Sequence, residues 1–296
     1  MYAVFEGRKP DVWPVAAPYV MLSNADHWEE LTGLPIWKYF EWHYSADMDY
    51  RRRMYKVMYD QQEFDIVQPE YMPSRNEREN TEIIFRNGRA FVHNKRYDSS
   101  WPVPDNIHNS SSGGGENETR YIFNKSDARE RLKTRKAEQL IESGCNDSID
   151  ELVKLYGDTR FIMSQGVVNT FFSNVYHVGM TNFYIMLHEE PELVAYISEL
   201  VLEQNIEIIR AQAKSGVDAI FIDDATATSD MVSVQMYTKF SLPYLIPQVN
   251  EIKRLGKKAV LTYFGGINDR TDLIASTGAD ALMMECSMNW KTVSLL

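Results

Sequence analysis

The feature that most constrains this chain is the alternation, through its second half, of short apolar runs with long helical stretches. Ala219–Ile222 runs into Asp223-Asp224, Ala259–Tyr263 ends on a tyrosine, and Asp280–Met284 leads into Glu285. These runs are largely continuous in apolar character rather than alternating, so both faces of each strand are predicted to be buried. Pro191, a residue favoured in the first turn, opens a helix that Gly216 stops after Ser215. Within it Leu193, Ile197, Leu200, Val201 and Ile208 fall on one face at helical spacing. Ser229 or Asp230 is placed to cap a helical region reaching Leu255, interrupted at Pro243, and Asp269–Ser276 is helical up to the break at Gly278. Buried strands alternating with helices predict a parallel sheet, and the repeat length favours a (β/α) barrel over a dinucleotide-binding sheet. No GxGxxG opens a helix after a strand, so the dinucleotide fingerprint is missing.

The first half carries a mixed pattern. Val15–Leu22 and Asp65–Tyr71 read as strands, the second containing Glu70. An amphipathic helix is expected from Asp47 to Gln61, and Glu82–Phe85, Asn87-Gly88 and Ala90–His93 read as a hairpin with a tight turn. Residues 98–120, with two prolines and a Ser110–Gly115 run, are expected as a flexible loop insertion. A basic helix over Ser126–Ser143 and a strand at Arg160–Ser164 follow. Six barrel strands are predicted in all, and Asn289–Leu296 is too short for a seventh and eighth. The expectation is an α/β chain, a single TIM-type (β/α)8 barrel domain over residues 1–296 lacking its last two strand–helix units.

Composition narrows the function classes. With 42 acidic against 31 basic residues the formal charge is −11, which argues against a broad nucleic-acid face. Cys145 and Cys286 form no CxxC pair, so neither a disulfide framework nor a four-cysteine zinc site is available. No apolar run reaches the roughly 18 residues of a membrane span, and residues 1–11 lack a signal-peptide core. The expected location is cytoplasmic, with no membrane partner and no nucleic acid.

Three segments together resemble the uroporphyrinogen decarboxylase superfamily, which also holds the corrinoid-linked methyltransferases. They are Gly7–Val15, the stretch from Gly166 to Gly179 with Pro191-Glu192, and Ser215–Asp224 followed by Phe240-Ser241-Leu242-Pro243-Tyr244. The resemblance implies a TIM-type barrel with its site at the C-terminal ends of the strands. It also carries differences. Where the decarboxylases have an arginine-rich segment that grips substrate carboxylates, this chain reads Met21–His27 with no arginine, and Glu70 stands near the place of a family Asp. The family's P-F-T appears as Val168-Asn169-Thr170, and Tyr176 lies close to an expected tyrosine. Where the methyltransferases have a zinc-binding H-x-C-G, this chain has Thr262-Tyr263-Phe264-Gly265, so the zinc motif is absent and no tightly bound metal or cofactor is expected.

The residues expected to carry chemistry are Asp223, Asp224 and Glu285 as catalytic groups, with Glu70, Tyr176 and Tyr263 binding substrate. A carboxylate pair at a strand end can share a proton or bind a cation or a pyrrole, or one member can simply cap the next turn. His177, His188 and Cys286 are lesser candidates. The resemblance implies an enzyme of tetrapyrrole or corrinoid chemistry, with methyl transfer involving a corrinoid carried by a partner protein as the first reading. A divergent uroporphyrinogen decarboxylase and a non-catalytic binding relative are the alternatives.

Overall fold

The computed structural model describes residues 1–16, 19–104 and 119–284. In chain order these begin with α1 (Tyr2–Phe5), α2 (Val20–Asp26), α3 (Trp28–Thr32), α4 (Ile36–His43), α5 (Met48–Tyr59), β1 (Ile66–Val67), α6 (Arg75–Glu79), β2 (Thr81–Arg86), β3 (Arg89–Asn94) and β4 (Ser99–Pro102). They continue with α7 (Lys125–Arg131), α8 (Ala137–Glu142), α9 (Asp147–Tyr156), β5 (Phe161–Val168), α10 (Thr170–Val178), α11 (Met180–Glu189) and α12 (Pro191–Lys214). The last are β6 (Ala219–Asp223), α13 (Val234–Phe240), α14 (Leu242–Arg254), β7 (Lys258–Tyr263), α15 (Thr271–Ser276) and β8 (Ala281–Met284). The described residues fall into two compact units. One takes those up to 104 and from 138 to 164; the other takes 119–137 and those from 165 on.

The strand order β1-β5-β6-β7-β8 makes one parallel sheet. This is α/β architecture of the TIM-barrel type, with five parallel strands among the described residues. The predicted strand over Val15–Leu22 is not one of them. Its end forms α2, and Val15 instead exchanges hydrogen bonds with Asp65, donating its N–H to the carboxylate at 2.7 Å and accepting from the Asp65 N–H at 2.8 Å. A proline inside the run, at position 18, removes a ladder donor and disfavours a central strand. Asp65 therefore sits at the N-terminal end of β1, the end of a barrel strand that serves stability rather than chemistry.

In the first unit, β2, β3 and β4 form a separate antiparallel sheet. Asn87 and Gly88 both take positive φ, 50° and 77°, as the tight turn read from Asn-Gly requires. The expected loop at 98–120 starts differently: Ser99–Pro102 adds a third strand to this hairpin, and residues 105–118 lie outside the described residues. Ala90, Val92 and Val103 form its core against Trp37, Phe40, Tyr44 and Ile83.

In the second unit β6 and β7 are buried as predicted, with Ala219, Ile220, Ile222, Ala259 and Leu261 at 0% exposure, whereas β8, last in the strand order, is only half-buried along its length because one of its edges carries no neighbour among the described residues. Helix α12 buries Leu193, Val194, Ile197, Val201 and Ile209, while Leu200 and Ile208 are only partly covered. Gly166 has φ +69°, and a Cβ there would stand 1.5 Å from the carbonyl oxygen of Phe221, so only glycine lets β5 close on β6. The expected basic helix over 126–143 divides into α7 and α8. The cap of the helix after β6 is Ser233, whose hydroxyl accepts from the Met236 N–H at 3.3 Å, rather than Ser229 or Asp230.

Candidate functional site

Parallel pairing brings the C-terminal ends of β5 to β8 to one rim. The Asn169 N–H donates to the Asp223 carbonyl at 2.7 Å, joining the end of β5 to that of β6. Asp223 pairs in register with Thr262, and Thr262 with Met283. Side chains alternate along a strand, so these three project from one face of the sheet while Tyr263 projects from the other. Glu285 and Cys286 lie outside the described residues, but β8 reaches the same rim, because Met284 pairs with Tyr263.

Asp223 is half-buried, and its carboxylate accepts from the Ala225 N–H at 3.0 Å. Tyr176, on α10, is 44% exposed, and its ring lies 5.2 Å from that of Phe172 at a tilt of 39°. Partial burial, and then the nearby charge of Asp223, push its phenol above the ordinary value. Asp223 and Tyr176 thus share an aqueous edge of the rim.

Asp224 behaves differently. It is 0% exposed. Asn169 donates to its Oδ1 at 3.0 Å and Ser241 to its Oδ2 at 2.7 Å. Burial pushes its carboxyl up to about 6, against the downward pull of Ser241, Asn169 and Tyr263; Asp223 adds a smaller upward push. None of these partners is a cation. Its proton affinity is therefore set by desolvation against neutral hydrogen-bond donors, which makes it a candidate acid–base group.

Tyr263 is fully buried, so the structure does not place it as an open substrate contact. Its hydroxyl is 3.0 Å from that of Tyr237, and burial and Asp224 raise its pKa well above the ordinary range. Arg270 stacks over the Tyr237 ring at 5.2 Å. It also donates to the carbonyls of Ala227 at 2.9 Å and Val232 at 2.8 Å, which clips the loop after β6 to the start of α15.

Glu70 belongs to the first unit. It is 5% exposed and ion-paired with Arg51, which also donates to the carbonyls of Trp42 and His43 at 2.7 Å and to Tyr55 at 2.9 Å. Arg51 lies 4.8 Å over the Trp42 ring. In this arrangement Glu70 neutralises a buried guanidinium. His177 is half-buried, held below its ordinary pKa by burial and Arg131, and His188 is exposed. At the place of the zinc motif, Thr262 is 1% exposed with no partner for its hydroxyl, and Phe264 is 44% exposed. Among the described residues no three His, Cys, Asp or Glu side chains are grouped to hold a metal ion. No helix among them is long and apolar enough to cross a membrane.

Asn169, Ser241, Gln248 and Tyr237 are gathered around Asp224 and Tyr263, although the sequence did not single them out. Asn169 and Ser241 stood inside the family-like segments, and that was their only signal. Polar residues at the ends of strands and starts of helices ordinarily read as caps.

Comparisons with known proteins agree with this architecture. The family model described as "Uroporphyrinogen decarboxylase (URO-D)" matches residues 115–294, more than half of the chain. A methylcobamide:CoM methyltransferase, MtbA, of Methanosarcina mazei is 25% identical over 123 residues, 42% of this chain and 36% of that protein. A uroporphyrinogen decarboxylase of Mannheimia succiniciproducens is 31% identical over 109 residues, 35% of this chain and 30% of that protein. The matches thus span about a third of the length of these curated relatives. A solved structure described as a methyltransferase from Methanosarcina mazei superposes with a TM-score of 0.63 at 15% identity, covering 98% of this chain and 78% of that one, a likeness of fold. The chain belongs to the uroporphyrinogen decarboxylase family.

Proposed function

We propose that this chain is an enzyme that transfers a methyl group between a small donor or acceptor and a corrinoid carried by a partner protein in the cytoplasm. The observation that carries the proposal is the acidic rim: Asp223 at the end of β6 with Asp224 beneath it, and the neutral Tyr176 phenol beside them as a hydrogen-bond donor. Arg270, the guanidinium next to Tyr237, is already engaged by Asp269 and two backbone carbonyls. Such an edge repels a polycarboxylate and favours a neutral or cationic small molecule.

The exposed rings of Tyr176 and Phe264 offer apolar faces of the kind that a flat macrocycle stacks on. A corrinoid held there would supply the atom that gives or takes the methyl group. This chain's own part is to orient and to manage protons. Asp223 accepts a hydrogen bond from, or pairs with, the heteroatom that bears or loses the methyl group. Tyr176 donates to the same heteroatom as charge builds on it. Asp224 stays under the rim as a carboxylate near its midpoint, able to take up a proton at Oδ1 or Oδ2.

The test is an absorbance assay of methyl transfer to or from free cobalamin, using small methylated amines and ethers as donors and thiols as acceptors. The purified chain is expected to catalyse one of these transfers, and Asp223→Asn to lower the rate by about 10²–10⁴. Decarboxylation of a porphyrinogen by the same preparation, without methyl transfer, would overturn the proposal. It would favour the second reading, for which the 31% identical decarboxylase segment speaks. Neither activity, and no binding of corrinoid or porphyrinogen, would leave a binding relative.

A further inference from the structure

Asp224 stands at the end of a line of buried amides. The Asn205 side chain donates to the Val168 carbonyl at 2.8 Å and to Gln248 Oε1 at 2.9 Å. Gln248 Nε2 donates to the Tyr244 carbonyl at 2.8 Å and to Asn169 Oδ1 at 2.7 Å. Asn169 Oδ1 also accepts from the Thr170 N–H at 2.8 Å, and its Nδ2 donates to Asp224 at 3.0 Å and to Ser241 at 2.9 Å. Asn169 and Gln248 are 0% exposed and Asn205 is 6% exposed.

The direction of this line is forced by the backbone. An amide atom facing a backbone N–H must be the oxygen, and one facing a carbonyl must be the nitrogen. The Thr170 N–H therefore fixes Asn169, the Tyr244 carbonyl fixes Gln248 and the Val168 carbonyl fixes Asn205. No amide can flip without setting donor against donor or acceptor against acceptor. Ser241 receives a hydrogen bond from Asn169, so its own proton is directed to Asp224. Both carboxyl oxygens are met by donors.

We propose that Asn169 is a positioning residue: as the last member of a one-way donor chain from Asn205 through Gln248, it holds the Asp224 carboxyl as an acceptor and sets the pH at which that group takes a proton. The balance of forces on Asp224 agrees, because burial raises its pKa while Ser241 and Asn169 lower it. The titratable groups that face it are Asp223 on its own strand end and Tyr263 from β7, with Tyr237 from α13 behind Tyr263 and Arg270 beyond that ring. From α12, α14 and the cap of α10 only uncharged amides enter the line, and Ser241 between α13 and α14 adds a hydroxyl. The value of this device to catalysis rests on the proposed use of the Asp223–Asp224 rim, but its physical claim does not.

The experiment follows the carboxyl carbon of Asp224 by NMR in protein labelled at aspartate, the signal being assigned by its loss in Asp224→Asn. The wild-type midpoint is expected near 6. In Asn169→Ala it should move up by about one pH unit, because a donor to the charged form is gone. Gln248→Met keeps the volume and leaves Asn169 bound to Thr170, so it should move the midpoint the same way by less; it also serves if Asn169→Ala does not fold. An upward move in either variant, with the circular dichroism of the wild type, supports the proposal. Midpoints unchanged in the folded variants would overturn it and leave these amides as packing. No substrate is needed, so this result is independent of whether methyl transfer is observed.

Discussion

The two units each bury an ionisable group, and they treat it in opposite ways. In the first, Arg51 meets a carboxylate, Glu70, and gives its remaining donors to two carbonyls and a tyrosine. In the second, Asp224 meets an amide and two hydroxyl groups and no cation. An ion pair cancels its own field and locks both protonation states, which suits a structural core. A carboxylate kept by neutral donors retains a proton equilibrium within reach of physiological pH. Glu70 is thus committed to a buried cation, whereas Asp224 keeps its proton equilibrium open.

Breaking the ion pair should give the largest effect. Arg51→Met strands Glu70 at 5% exposure, and the loss should be about 3–5 kcal/mol in urea denaturation. Adding Glu70→Leu should recover much of it. A loss for Arg51→Met below about 1 kcal/mol would show that the pair is not the anchor of the first unit.

The second unit should be sensitive to pH with the opposite sense to a salt-bridged acid. The folded-state value of Asp224, about 6, lies above the ordinary 3.8, so the folded chain binds this proton more tightly than the unfolded one. Its contribution is complete below about 3.8 and fades as pH rises toward 6, by about 1–3 kcal/mol. Asp224→Asn should remove that slope in denaturation curves taken from pH 4 to 7. A slope that survives the substitution would have to come from another group.

The smallest effect is expected on the outer face of α12 and α14, where Glu251 accepts from Arg210 at 2.6 Å and from Arg254 at 2.7 Å. These arginines hold its carboxyl down to about 2. Its stabilisation is present above the ordinary 4.5 and is lost as pH falls toward 2, the reverse of Asp224. Because both guanidinium groups are well exposed, Glu251→Gln should cost only about 0.2–1 kcal/mol, less in high salt.

Much of the second unit was legible. Continuous apolar runs gave β6, β7 and β8 within a residue or so, Pro191 gave the start of α12, and Asn87-Gly88 gave the hairpin turn. The first unit is less legible. Val15–Leu22 looks like a strand by composition, yet a proline within it and its exchange with Asp65 turn it to other use. Ser99–Pro102 looks like loop, yet β3 offers it an open edge. The site was half legible: Asp223 and Asp224 stood out as acids after a strand, but nothing in their adjacency says that one reaches water and the other an amide.

The residues along the chain set the period of each element, the turns that need glycine or asparagine, and the order of strands and helices that makes a parallel sheet. These are local matters, set by backbone sterics and by which side chains prefer water. The tertiary structure decided which polar groups meet. Asn169, Asp224, Ser241 and Gln248 lie as far as 79 residues apart in the chain and bond only because β5, β6 and the loop between α13 and α14 converge. Burial then turns a common carboxylate into one with a raised proton affinity, since the cost of desolvating a charge exists only once the fold has excluded water.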